Sequence, residues 1–284
     1  MKVFSWDDLG SVKSFLTQNS FNFSCLTIGG FDGPHLGHEV LFEKVLSKKN
    51  EVKSSCAGVV TFARSPRGVK SQNFYKGDLS TLSQKIHYFE KKGFDFCLVI
   101  NFDSDFKKTL GIDFFDRLLG YCNMKFLSVG QDFRCGYKGS MGVSEISEYF
   151  ANNNLELSIC NDVFLDKNRI SSSIIRDFIF DGDIENAQKY LGKNYVLDCS
   201  EIKWKLLKDD ELSDFSLQNL KKSKNIFFTK KLNQVMPQNA KLNATVITTS
   251  LQIKTTVNFT QDGIFFEDND GVLSENVFIE EIVL

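Results

Sequence analysis

FSCLTIGGFDGPHLGHEVLFEKVLSKK, residues Phe23 to Lys49, decides how this chain is read. Phe23 to Ile28 is an apolar, strand-like run, and the pattern from Val40 onward is helical. The ten residues between, Gly29 to His38, therefore close a strand with a glycine-rich turn and open a helix. A helix N-terminus carries unpaired N–H groups and a partial positive charge, so it favours an anion such as phosphate. Gly29, Gly30, Gly33 and Gly37 let a bulky ligand approach the backbone. His35 and His38, spaced i and i+3, lie on one face and can both point at that ligand. The chain has three histidines, and two stand here. This pattern points to a nucleotide-phosphate site. It is neither a GxGxxG fingerprint nor a loop ending in Gly-Lys-Ser/Thr. A zinc reading of the histidine pair is weak, because no third ligand follows at metal spacing.

Outward from that stretch, strand and helix patterns alternate through the first two-thirds of the chain. Further strands are expected at Ala57 to Phe62, Phe96 to Phe102, Phe126 to Gly130 and Leu155 to Cys160. Helical stripes run through Leu82, Ile86 and Phe89, through Phe114, Leu118 and Tyr121, and through Ile146, Tyr149 and Phe150. Near-continuous apolar strands separated by helices imply a five-stranded, doubly wound parallel sheet covered on both faces. Ligands on such a sheet sit at the carboxyl ends of its strands. That rule gathers the glycine turn, the Pro66 loop, the Asp103 loop and the Gln131–Asp132 loop at one rim.

After Tyr195 the texture changes. No glycine occurs between Gly192 and Gly263, and Leu251 to Phe259 alternates, with Leu251, Ile253, Val257 and Phe259 on one face. QDG and DNDG punctuate the short runs GIFFE and NVFIEEIVL. The expectation is a smaller, mainly antiparallel β domain, or a degenerate barrel, over 195–284, behind an α/β domain over 1–194. The lysine-rich KKSKN near residue 223 reads as a solvated loop.

Composition narrows the classes. A net charge of −2 and a pI near 6.0 argue against non-specific nucleic-acid binding. No segment approaches the ~20 apolar residues of a membrane span. MKVFSWDDLG has acidic residues where a signal peptide keeps its apolar run, so the expected location is cytoplasmic. The seven cysteines include no CxxC pair and read as small hydrophobes in a reducing compartment, without disulfides or a cysteine metal site. The 28 phenylalanines against three prolines are compositional bias and carry no functional inference.

Two further groups of residues suit a nucleotide and its partner. In ISSSIIR, Ser171 or Ser172 can cap a helix with its hydroxyl near a phosphate, and Arg176 follows one turn on. Alone, that string is better explained by a plain helix cap and a surface arginine. Phe62, Phe102, Asp132 and Phe133 stand at strand ends. Aromatic faces there could stack on a fused ring and a carboxylate accept its N–H groups, while ordinary core packing is the competing account of each phenylalanine.

TIGGFDGPHLGH resembles the signature of the HxGH nucleotidylyltransferases. More narrowly, it is similar to the adenylyltransferase half of the prokaryotic bifunctional riboflavin kinase/FAD synthetase family. TFARSP (Thr61 to Pro66), FDFCLVINFDSDF (Phe94 to Phe106), SVGQDFRCG (Ser128 to Gly136) and RISSSIIRDFIFDGDIENAQKYLGKNY (Arg169 to Tyr195) are similar to further family stretches, in order. Together they cover roughly residues 20 to 195. The resemblance implies a Rossmann-like fold and AMP transfer from ATP to FMN, aided by Mg²⁺, with metal ligands unassigned. It implies catalytic roles for His35, His38 and Arg176. It implies ATP contacts from Gly29, Gly30, Phe31, Gly33, Gly37, Ser171 and Ser172, and FMN contacts from Phe62, Phe102, Asp132 and Phe133. Asp32 could brace the turn.

The chain departs from the family pattern in places. Arg64 and Ser65 replace the proline and histidine usual in TFxPHP, Pro34 replaces a usual valine, and YKGSMG carries Lys138 without an arginine. The family's riboflavin kinase half uses a glycine-containing loop leading into a PTAN motif, and nothing similar stands here. Pro237, the last of the three prolines, has no glycine near it, and about 90 residues remain after Tyr195. The expectation is therefore an FAD synthetase without riboflavin kinase activity. The alternatives are an HxGH transferase with another phosphorylated acceptor, and a non-catalytic flavin- or nucleotide-binding protein.

Overall fold

The computed structural model describes residues 1–65, 75–207, 226–229, 232–268, 272–273 and 278–284. Pro66, the lysine-rich stretch at 221–225, most of DNDG and the start of NVFIEEIVL lie outside the described residues. By its contacts the chain divides into two compact units. The first comprises Met1–Tyr75 and Leu82–Ile170, the second Lys76–Thr81 and Ser171–Leu284.

In the first unit, β1 (Lys2–Ser5), α1 (Leu9–Gln18), β2 (Phe23–Ile28), α2 (Leu36–Glu51) and β3 (Ser55–Phe62) come first. They are followed by α3 (Leu82–Lys92), β4 (Phe96–Ile100), α4 (Gly111–Cys122) and β5 (Met124–Gly130). A short ribbon, β6 (Arg134–Cys135) with β7 (Met141–Gly142), precedes α5 (Val143–Asn152) and β8 (Glu156–Cys160). A second ribbon pairs β9 (Phe164–Leu165) with β10 (Asn168–Arg169). The main sheet is parallel throughout, in the order β1-β4-β3-β2-β5-β8.

The sheet has six strands where five were expected. The extra one, β1, is a four-residue edge strand with mostly exposed side chains, so it leaves no apolar run to read.

Alternation along the strands builds two cores. Leu26 and Ile28 of β2, Val60 of β3, and Phe96, Leu98 and Ile100 of β4 pack with α1, α4 and α5 on one face. Cys25, Ala57, Val59 and Cys97 pack with Leu41, Phe42, Val45 and Phe89 of α2 and α3 on the other. The β2–β5 register shifts between Ser24 and Cys25, leaving Lys125 unpaired and placing Met124, Leu127 and Val129 on one face. The expected stripes form helices α3, α4 and α5. In α4, however, Tyr121 is exposed and Cys122 takes the buried place.

The second unit holds α6 (Ser172–Phe180), α7 (Ile184–Leu191) and a seven-stranded antiparallel sheet. Its strands are β11 (Val196–Asp198), β12 (Lys205–Leu207), β13 (Ile226–Thr229), β14 (Ala240–Thr248), β15 (Gln252–Phe259), β16 (Ile264–Glu267) and β17 (Ile279–Val283). Their order is β11-β17-β14-β15-β16-β13-β12. The period-2 face of β15 is real, with Val257 and Phe259 buried and Thr255 beside them. Leu251 is exposed instead, because it sits in the β14–β15 turn, where Thr248 N donates to Leu251 O at 2.9 Å. Gln234 is buried and ties this unit together: its Nε2 donates to Leu79 O (3.2 Å) and Val196 O (3.0 Å), and its Oε1 accepts from Asp198 N (2.7 Å).

Candidate functional site

The glycine turn leaves the carboxyl end of β2, where Gly29 N donates to Val60 O at 3.0 Å and extends the ladder by one rung. Phe31 then adopts a left-handed backbone (φ 44°), unusual for a non-glycine residue, and Gly33 follows at φ 59°. Such strain persists only where surroundings over-determine it. Here the Phe31 ring is buried against Phe42 (5.1 Å between centroids) and Phe89 (5.9 Å). Any contact of Phe31 with a ligand is thus left to its backbone.

His35 is extended (φ −129°, ψ 172°) and forms the N-cap of α2, which begins at Leu36. Pro34 therefore precedes the cap rather than occupying the first helical turn. His38, three residues on, turns back so that its Nδ1 accepts from His35 N (3.4 Å), while His38 N donates to His35 O (2.8 Å). The two imidazoles stack 3.7 Å apart at 17°, and the Phe31 ring meets the His38 ring edge-on at 5.1 Å. With Nδ1 accepting, a neutral His38 carries its proton on Nε2, as a donor. Gly37 makes room for this pair: a Cβ there would stand 3.1 Å from the His35 ring and 3.2 Å from Ile170 O.

The sequence reading missed Lys85. It lies on α3 with only 3% of its surface exposed, and its Nζ donates to Phe62 O (2.6 Å), Gly30 O (3.3 Å) and Thr61 Oγ1 (3.5 Å). Thr61 Oγ1 donates in turn to Gly30 O at 3.1 Å. The signal existed but was disguised. Lys85 fills the i+3 slot of the stripe Leu82, Ile86, Phe89, where an apolar residue would sit.

Along the same carboxyl edge, Phe62 and Phe102 come together edge-to-face at 5.6 Å, each within about that reach of Phe106 (6.0 and 6.1 Å). Phe62 and Phe133 are partly buried against the core. Asp132 is largely exposed and bound to Arg169 Nη2 at 2.5 Å. Arg169 also reaches Asp162 through Nε at 2.7 Å, and Gln131 Nε2 donates to Asp162 at 2.7 Å. The Asp132 carboxylate holds the Arg169 guanidinium still more firmly protonated. This pairing crosses from the β5 loop to the β10 strand, and nothing in the sequence spacing announces it.

Ser171, Ser172 and Arg176 belong to the second unit. Ser171 is the N-cap of α6, its hydroxyl accepting from Ile174 N at 3.4 Å, and Ser172 opens the helix. Arg176 is buried at 8% exposure, and its Nε donates to Gly77 O at 2.8 Å. Lys76 pairs with Asp177 at 2.7 Å and lies 4.2 Å above the Phe180 ring.

Among the described residues no three His, Cys, Asp or Glu side chains gather where they could hold a metal ion. Every cysteine is a free thiol, and burial pushes Cys25 up to about 11 and Cys97 up to about 12. No helix among the described residues is long and apolar enough to cross a membrane.

A parallel sheet wound on both faces, with a glycine turn and a histidine-capped helix at the carboxyl end of an inner strand, defines a Rossmann-like α/β protein. The chain belongs to the FAD synthetase family, whose model matches residues 17–174. The bifunctional riboflavin kinase/FMN adenylyltransferase of Haemophilus influenzae is 33% identical over 171 residues, 60% of this chain and 55% of that protein. The protein of the same name from Buchnera aphidicola subsp. Schizaphis graminum is 30% identical over 178 residues, 61% of this chain and 56% of that one. The chain thus spans about half the length of the curated relatives it matches. A crystal structure named as a macrolide-efflux protein from Streptococcus pneumoniae has a TM-score of 0.72 and 17% identity, covering 100% of this chain and 97% of that one. At that identity the likeness speaks for the fold alone.

Proposed function

We propose that this chain transfers AMP from ATP to FMN, giving FAD and pyrophosphate, and does not phosphorylate riboflavin. The observation that carries the reading is the stacked His35–His38 pair at the start of α2, behind a glycine turn at the sheet's carboxyl edge. Family membership supports FMN as the acceptor.

A phosphate oxygen of FMN attacks the α-phosphorus of ATP, one P–O bond forms, and the bond to the β-phosphate oxygen breaks to release pyrophosphate. The reaction asks for little covalent help, so the protein's work is in-line positioning and stabilisation of developing charge. ATP enters as its Mg²⁺ complex. His38, donating from Nε2, and His35 bind phosphate oxygens beside the positive end of α2. Gly29, Gly30, Gly33 and Gly37 admit the nucleotide close to the chain, with Phe31 contributing backbone. Arg176 supplies a multidentate phosphate grip, with Ser171 and Ser172 at the start of its helix.

On the flavin side Phe62, Phe102 and Phe133 offer aromatic surface to the fused ring, and Asp132 an acceptor it shares with Arg169. Residues 1–194 would form the adenylyltransferase module, and 195–284 a riboflavin-kinase-like β module that has lost its phosphate loop. The glycine-free stretch between Gly192 and Gly263 supports that loss.

The test is a label. With ATP carrying labelled α-phosphate, the label should enter flavin, one pyrophosphate appearing per FAD. Label that stays in ATP while FMN and ATP both bind would favour the non-catalytic reading. Transfer to another phosphorylated acceptor, with FMN refused, would favour a sister transferase.

A further inference from the structure

We infer that Lys85 is a positioning residue for ATP, holding the phosphate-binding turn against the end of β3 and setting positive charge behind it; this rests on the adenylyl-transfer reading above. Lysine is almost never fully buried without strong reason, because its ammonium must leave water. Methionine could fill the same slot of the α3 stripe without that cost. Among the described residues the ammonium donates to the carbonyls of Gly30 and Phe62 and to the hydroxyl of Thr61.

The geometry gives the three bonds a purpose. Gly30 O receives both the ammonium and the Thr61 hydroxyl, so the Gly30–Phe31 peptide plane is fixed from two directions. In a trans peptide the N–H points opposite to the carbonyl, so anchoring Gly30 O sets where Phe31 N–H points. The same peptide leads into the left-handed Phe31, whose ring in turn braces His38. Phe62 O, the third acceptor, belongs to the last residue of β3, so one side chain locks turn and strand together. A cation held in low-dielectric surroundings behind the turn also adds to the positive end of α2, in the sense an incoming triphosphate needs.

The experiment uses the full chain with Lys85→Met, Lys85→Gln and Thr61→Val. It measures ATP affinity by calorimetry, KM for ATP and for FMN, and Tm. Lys85→Met should weaken ATP binding at least ~10-fold and raise KM for ATP more than KM for FMN. Thr61→Val, which keeps the cation and removes the relay hydroxyl, should weaken ATP by a smaller factor. A folded Lys85→Met with wild-type ATP affinity overturns the proposal, whatever its Tm, since a purely structural lysine would move stability alone. If that variant does not fold, unchanged ATP affinity in both Lys85→Gln and Thr61→Val overturns it. A wild-type protein that binds ATP yet makes no FAD would sink the adenylyl-transfer reading, and the calorimetric comparison would still decide on Lys85. A wild-type protein that does not bind ATP contradicts both.

Discussion

His38 is held from three sides: the His35 ring stacks on it, the Phe31 edge abuts it, and the His35 N–H occupies its Nδ1. A side chain fixed this way can act as a preorganised donor, which is worth most where charge develops in the transition state. His38→Ala should therefore lower kcat/KM by at least ~10²-fold, and Arg176→Ala should do likewise if that arginine grips phosphate. Near-wild-type rates in folded variants would remove the residue concerned from the mechanism. At this scale legibility followed chemistry written locally. Two of three histidines in one turn could be seen at once, and the Ser171 cap is read from the serines preceding the helix. Lys85 could not, because its register makes it look like a core position. The Asp132–Arg169 pair joins residues distant in sequence, which only the folded chain brings together.

The strands with apolar runs were placed within a residue or two of their bounds: β2, β5 and β8 end where a polar or glycine residue breaks the run, and β3 ends at Phe62, one residue ahead of the break, before Ala63 and Arg64. The strand expected to reach Phe102 ends at Ile100, because the chain there leaves the ladder for the Asp103 turn, where Asp103 N donates to Asn101 O at 2.9 Å. β1 escaped, being short and on an edge. Two glycines test the packing of these elements in opposite ways. Gly37→Ala adds helix propensity to α2, less than the ~1 kcal/mol of an interior position because Gly37 is the second helical residue, while its Cβ crowds the His35 ring at 3.1 Å and Ile170 O at 3.2 Å. It should change Tm little while kcat/KM falls ~10-fold, since small misplacements at a reacting centre are costly. Gly58→Ala, in β3, would bring a Cβ to 2.3 Å from the Phe96 ring and 2.7 Å from Leu26 Cδ2. Overpacking of that kind should cost ~1–3 kcal/mol of stability, read from denaturant unfolding. An unchanged unfolding midpoint would contradict the packing described for that face.

Over the whole molecule, burial raises thiols in both units: Cys25 to about 11, and Cys97, Cys122, Cys135 and Cys199 to about 12. Unfolded, these groups ionise near 9.0. Above that pH the unfolded chain sheds protons that the folded chain keeps, so stability is intact below about pH 9 and is lost as pH rises toward the folded values. Tm measured across the alkaline range should fall progressively from about pH 9, and a flat profile would mean the thiols are not buried as described. The larger claim is a division of labour between residues 1–194 and residues 195–284. The first carries a turn, a histidine pair and a buried lysine at one sheet edge, and the second presents no glycine loop between Gly192 and Gly263. One chromatographic assay tests it most directly: purified protein with ATP and Mg²⁺, offered FMN in one tube and riboflavin in another. FAD is expected from FMN, and no new flavin from riboflavin. FMN or FAD arising from riboflavin, or no FAD from FMN, would contradict it.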